Sequence, residues 1–104
     1  MGGTWSIPGG ARDESEAAVD AAFREADEEA DIPRRALRFR FESVMDLGFW
    51  SYTTVVADVI APFQIDFSDG WETKELRWVP VDEVDHLPLH PMFGQSWPAL
   101  RARL

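Results

Sequence analysis

The sequence predicts an α/β domain, a sheet with helices laid on it, and three stretches carry that prediction. Between Gly9 and Ile32, Val19, Phe23, Ala26 and Ala30 recur at helical spacing and form one apolar stripe suited to packing on a sheet. Leu37, Phe39 and Phe41 then alternate with Arg38, Arg40 and Glu42, the pattern of a half-buried strand. From Tyr52 to Ile60 the run YTTVVADVI is β-branched and apolar on both faces, which suits the centre of a covered sheet.

The other side of the helix carries the chemistry. Glu25, Glu28 and Glu29 stand at i, i+3 and i+4, so all three belong to one helix face. At ~5 Å each pair repels by roughly 0.8 kcal/mol in water and about 3 at an effective dielectric near 20. A divalent cation among them reverses that sign. Ala18, Ala21 and Ala22 lie above the carboxylates on the same face and are expected to leave open space there. Taken without context, an acidic helix of this kind is simply a solvated face.

The register supplies the context. Gly10, five residues, Glu16, seven residues, then Arg24-Glu25-Ala26-Asp27-Glu28-Glu29-Ala30-Asp31-Ile32 follow directly on Trp-Ser-Ile-Pro-Gly-Gly. Here the chain resembles the Nudix hydrolases, whose signature is Gly, five residues, Glu, seven residues, Arg-Glu-apolar-x-Glu-Glu-x-Gly-apolar; the likeness continues through Trp78 and the tail. Two positions depart from it. Ala26 replaces a larger aliphatic side chain and fills less volume. Asp31 replaces the glycine after the helix, a site that often needs a left-handed backbone, which Asp tolerates at some cost.

The resemblance implies a single Nudix-like domain over 1–104, an α/β/α sandwich with a mixed β-sheet. It implies an Mg²⁺- or Mn²⁺-dependent hydrolase cleaving the diphosphate linkage of a nucleoside diphosphate joined to another moiety. In that reading Glu25, Glu28 and Glu29 ligate the metal together with the backbone carbonyl of Gly9. Arg24 holds the carboxylates, and Glu16 supports the site or assists proton transfer. Glu72, or Glu75 close by, supplies a further ligand or the general base. Plainer roles exist for each: a turn glycine at 9, a helix-dipole partner at 16, a surface ion pair at 24 and a solvated loop acid at 72. The alternative from another class is a non-catalytic, truncated Nudix-like module that binds a ligand or partner.

Composition narrows the partners. The net charge is −9, and nine acids against two arginines between Arg12 and Asp31 account for −7 of it. No basic surplus exists to replace the counterions of a nucleic-acid backbone, so none is expected as a partner. A bare polyphosphate would be repelled and should enter only with cations. The chain has no cysteine, no secretory signal and no apolar run near the ~20 residues of a membrane span, so a cytoplasmic protein is expected.

Trp5 and Ile7 alternate about Ser6 as a short strand closed by Pro8. Nudix domains usually carry earlier strands, so the sheet is expected to be incomplete at its N-terminal edge. That exposed edge could pair with a second copy as a homodimer. Asp13 and Ser15 are candidate helix caps. Asp46-Leu47-Gly48 reads as a turn, and a third strand is expected from Glu75 to Val81. A last helix is expected to open at Ser96-Trp97-Pro98. His86 and His90 tempt a zinc reading, but Pro88 spoils the helix that would align them and no third soft ligand is near. Phe49, Trp50 and Trp71 fall near loops where a nucleobase could stack.

Overall fold

The computed structural model describes residues 4–9, 16–63 and 76–104. These fall into two units, residues 8–76 and the pair of segments Met1–Ile7 and Arg77–Leu104.

In the first unit, helix α1 spans Ala18–Ala30. Its N-cap is Ala17, which offers no side-chain bond to the free N–H groups of the first turn. The predicted caps Asp13 and Ser15 lie outside the described residues. At the other end Asp31 adopts the left-handed conformation expected of its position, with φ 57° and ψ 35°. This bend lets the Asp31 N–H donate to the Asp27 carbonyl at 3.0 Å and the Ile32 N–H to the Ala26 carbonyl at 3.2 Å. Of the last four carbonyls of the helix, that of Asp27 thereby gains a partner. Pro33 cannot continue the helix, and a short 3₁₀ turn, Arg34–Ala36, leads into the sheet.

Strands β1 (Leu37–Asp46) and β2 (Ser51–Val59) form an antiparallel hairpin. The turn falls where the sequence places it: the Gly48 N–H donates to the Asp46 side chain at 2.9 Å, and Gly48 itself has φ +94°. Only glycine adopts that backbone without strain. The pairing then departs from simple alternation. Phe39 faces Ala57 and Phe41 faces Val56, so Arg40 is an extra residue in β1. Directly opposed residues share a face and consecutive ones do not. The bulge therefore sends Phe39 and Phe41 to opposite sides, and Phe39 is 43% exposed instead of lining the buried face.

Helix α1 packs against β2 and the 3₁₀ turn. Phe23, Ala21, Ala30 and Ala36 are buried, and the Ile60 N–H donates to the Ala36 carbonyl at 2.8 Å, closing the open end of the hairpin. Burying a phenylalanine contributes roughly 1.5–3 kcal/mol. Arg34 reaches back over the helix, 5.0 Å from the Phe23 ring centroid and 2.9 Å from the Asp20 carboxylate. Among the described residues β2 pairs only with β1, and Thr54 is its one buried side chain. Among the described residues the apolar run makes one half-covered strand of a hairpin.

In the second unit Trp5 forms a parallel bridge to Leu89. The Trp5 N–H donates to the Pro88 carbonyl at 2.7 Å, and the Trp5 carbonyl accepts from the His90 N–H at 2.8 Å. Arg77 lies 4.8 Å from the centroid of the Trp5 ring. The third strand is not formed over residues 76–80, which are irregular; Pro80 has no N–H to donate to a ladder, and a 3₁₀ turn, Val81–His86, follows.

Helix α2 spans Pro91–Arg101 and so begins earlier than predicted. Its opening proline is Pro91, and His90 caps it by accepting the Met92 N–H on Nδ1 at 3.2 Å. Pro98 sits inside the helix instead of starting it. Phe93, Trp97 and Leu100 form the buried side of α2. Trp97 Nε1 donates to Asp85, and Arg101 joins Asp85 at 2.9 Å to Asp82 at 2.8 Å. Among the described residues no helix is long and apolar enough to cross a membrane.

Candidate active site

Arg24 ties Glu16, just before α1, to Glu28 within it. Arg24 presents a fork to Glu16, with Nε and Nη2 each 2.9 Å from a carboxylate oxygen. The remaining Nη1 lies 3.3 Å from both oxygens of Glu28, one turn along the helix. A planar guanidinium can hold two carboxylates at fixed angles in this way, where a lysine would supply only a point charge. The hydrogen bonds to Glu16, then to Glu28, keep Arg24 still more firmly protonated than usual. Because Glu16 precedes the helix, this fork also fixes how the chain enters α1.

Glu25 differs from its neighbours. It stands one turn after Ala21 on the buried flank of the helix and is only 9% exposed. Burial pushes its pKa above the ordinary value; Arg24 opposes the rise, and the charges of Glu16 and Glu28 add to it. The space expected above the carboxylates is not open at Ala21, which is packed at 4% exposure. The Ala21–Glu25 spacing of i and i+4 is the signal that could have disclosed this, since a residue one turn from a packed alanine shares its burial.

Glu28 and Glu29 are exposed. Among the described residues no three His, Asp or Glu side chains stand together as an ion-holding group. A Cβ at Gly9 would meet nothing within 4 Å, so no crowding requires glycine there. Gly10, Trp71, Glu72 and Glu75 lie outside the described residues. His90 is occupied as a helix cap. The Arg34–Asp20 pair, 14 residues apart in the chain, has no counterpart in the sequence reading, because no short-range spacing announces it.

As donors, the glutamates of α1 offer hard carboxylate oxygens, the type that Mg²⁺ and Mn²⁺ prefer. Glu25 is buried and carries like charge nearby, so a cation would offset what now raises its pKa. In these two respects the residues fit a divalent metal.

The NUDIX domain family model matches residues 1–101. The chain belongs to the Nudix family. A crystal structure of a Nudix hydrolase from M. smegmatis, RenU, superposes with a TM-score of 0.87 at 43% identity, covering 99% of this chain and 66% of that one. The α/β class expected from the resemblance is therefore the Nudix fold. A Mycobacterium tuberculosis protein named "Putative 8-oxo-dGTP diphosphatase 3" is 46% identical over 97% of this chain and 48% of its own length. A Bifidobacterium longum nucleoside triphosphate pyrophosphatase/Nudix hydrolase fusion protein is 36% identical over 99% of this chain and 22% of its own length. The chain thus spans about half the length of the mycobacterial relative.

Proposed function

We propose that this chain, acting as one Nudix domain, hydrolyses the diphosphate linkage of a nucleoside diphosphate bonded to a further group, releasing a nucleoside monophosphate. The observation that carries the reading is the Arg24 fork on Glu16 and Glu28, set beside the buried Glu25. Glu25, Glu28 and Glu29, with the carbonyl of Gly9, would hold Mg²⁺ or Mn²⁺. Bound there, the ion would supply the charge that offsets the diphosphate's and the acidity that makes a water nucleophilic at neutral pH.

The chain's own residues have separate tasks. Arg24 orients Glu28 and ties the residue before the helix to the helix itself. Glu16, already holding a guanidinium, keeps that orientation or passes a proton; Glu72 is the candidate general base. The acidic approach rejects a free polyanion, so phosphate chains enter with their cations. The reading places the protein in the cytoplasm.

Phosphate release, coupled to added pyrophosphatase, tests the reading over nucleoside triphosphates, 8-oxo-dGTP and diphosphate sugars in Mn²⁺. Turnover of at least one substrate is expected, falling by about a hundredfold or more in Glu28→Gln, since loss even of groups supporting a metal costs ~10–100-fold. No turnover of any substrate, with no metal-dependent change in Tm, would favour the non-catalytic module.

A further inference from the structure

We propose that Arg34 is a positioning residue: from the turn that enters the sheet it fixes the roll of α1 about its own axis, and with it the direction in which Glu25, Glu28 and Glu29 point. The inference deepens the diphosphohydrolase reading and rests on it. Arg34 lies beyond the signature, which ends at Ile32.

Two contacts hold the guanidinium on the helix. Its Nη2 lies 2.9 Å from Oδ1 of Asp20, and its central carbon lies 5.0 Å from the centroid of the Phe23 ring. The turn that carries Arg34 is itself anchored. Ala36 is fully buried; its N–H donates to the Pro33 carbonyl at 3.0 Å, and its carbonyl accepts the Ile60 N–H at 2.8 Å. Arg34 therefore relays the position of the hairpin to the first turn of α1, where Asp20 lies and where Ala17 supplies no side-chain cap. The last turn is joined to the same segment by the chain itself, through Asp31, Ile32 and Pro33. One short segment thus grips α1 near both ends.

The direction of the grip decides what it does. Burial of Phe23 and Ala30 holds α1 down, but hydrophobic contact is non-directional and leaves roll weakly specified. Asp20 lies about 60° around the helix from Phe23, on the flank of the apolar stripe, where a hydrogen bond opposes roll. Glu28, Glu25 and Glu29 follow at about 80°, 140° and 180° from Asp20, so Arg34 acts on them through the helix. Their carboxylates stand roughly 5–6 Å from the axis, and a roll of about 10° moves them by about 1 Å. A misplacement of that size costs on the order of a hundredfold in rate. As a stabiliser the pair is weak, since its side chains are 59% and 55% exposed and such pairs contribute little. Its leverage is on position.

The test compares the whole chain as wild type, as Arg34→Gln and as the exchanged pair Asp20→Arg with Arg34→Asp. Residual dipolar couplings of the backbone amides, measured without metal, vary periodically along a helix and report its tilt and roll against the β1–β2 hairpin. In Arg34→Gln the α1 couplings should no longer fit the wild-type orientation, while the urea midpoint stays where it was. Kd for Mn²⁺, read from water proton relaxation, should rise about tenfold, the scale for losing a group that orients metal ligands. For a substrate that is turned over, kcat should fall with KM unchanged. The exchanged pair rebuilds the bond with reversed charges and should bring orientation and Mn²⁺ affinity back toward wild type. Unchanged couplings in Arg34→Gln overturn the proposal. So does a lowered urea midpoint with Mn²⁺ affinity intact, which would make the pair a stabiliser only. If the wild type hydrolyses nucleotides and Arg34→Gln keeps its couplings and its kcat, positioning fails while the hydrolase reading stands. If α1 rolls and Mn²⁺ binds more weakly in Arg34→Gln, yet the wild type turns over no substrate, positioning stands and the hydrolase reading fails.

Discussion

Helices α1 and α2 are similar in length and opposite in manners. Helix α2 is well marked at its ends: His90 caps it, Pro91 occupies the first turn and Arg101 lies in the last turn, where a helix end attracts positive charge. Helix α1 obeys few. It starts at an alanine without a side-chain cap, ends in a left-handed aspartate, and carries Asp27, Glu28 and Glu29 in its last turn with no base among them. Its acids face the negative end of the helix dipole. Capping and end-charge rules are broken on the helix that bears the Nudix signature and kept on the other, whose one departure is the internal Pro98.

The comparison can be broken most forcefully from below. Helix α1 has little intrinsic support, so its packing must hold it in place. Phe23→Ala should destabilise the protein by about 3–5 kcal/mol, the usual cost of emptying a buried aromatic site. Urea denaturation measures this, and a loss under 1 kcal/mol would mean that α1 does not depend on its apolar side.

Glu25 sharpens the contrast next. Burial raises its pKa, so the folded state keeps this proton to a higher pH than the unfolded chain, whose value is near 4.5. The associated stability is fully present below 4.5 and is lost as pH rises through the folded value. In EDTA, Glu25→Gln should therefore be the more stable protein at neutral pH and lose that advantage as pH falls to 4.5. Mn²⁺ should raise the Tm of the wild type and leave the variant's unmoved. Equal urea midpoints at both pH values would remove burial as the controlling feature.

The smallest effect belongs to the helix end. Asp31→Gly should stabilise by about 0.5–1 kcal/mol, because glycine reaches positive φ without the steric cost of a side chain. Asp31→Ala should move the urea midpoint the other way. If both changes shift it alike, the left-handed residue is not strained.

Much of this was legible beforehand, for identifiable reasons. The Arg24–Glu28 contact follows from i, i+4 geometry, the turn at Gly48 from its dipeptide neighbours, and the conformation of Asp31 from its place after the helix. All depend on residues close in the chain. What escaped depends on pairing and packing between distant segments. The extra residue at Arg40 turns Phe39 outward only once β1 has chosen its register against β2. Ala21 is filled because α1 settles on a strand beginning thirty residues later. The start of α2 was misplaced because two Pro-containing stretches competed: Pro91 had a capping histidine before it and Pro98 did not.

The half-step at Arg40 makes chain length, more than side-chain chemistry, decide the sidedness of the hairpin's open end. Removing that one residue would alter composition very little. It would bring Leu37 and Phe39 around to the flank of Phe41, and the segment leaving α1 would have to enter the sheet through the opposite surface.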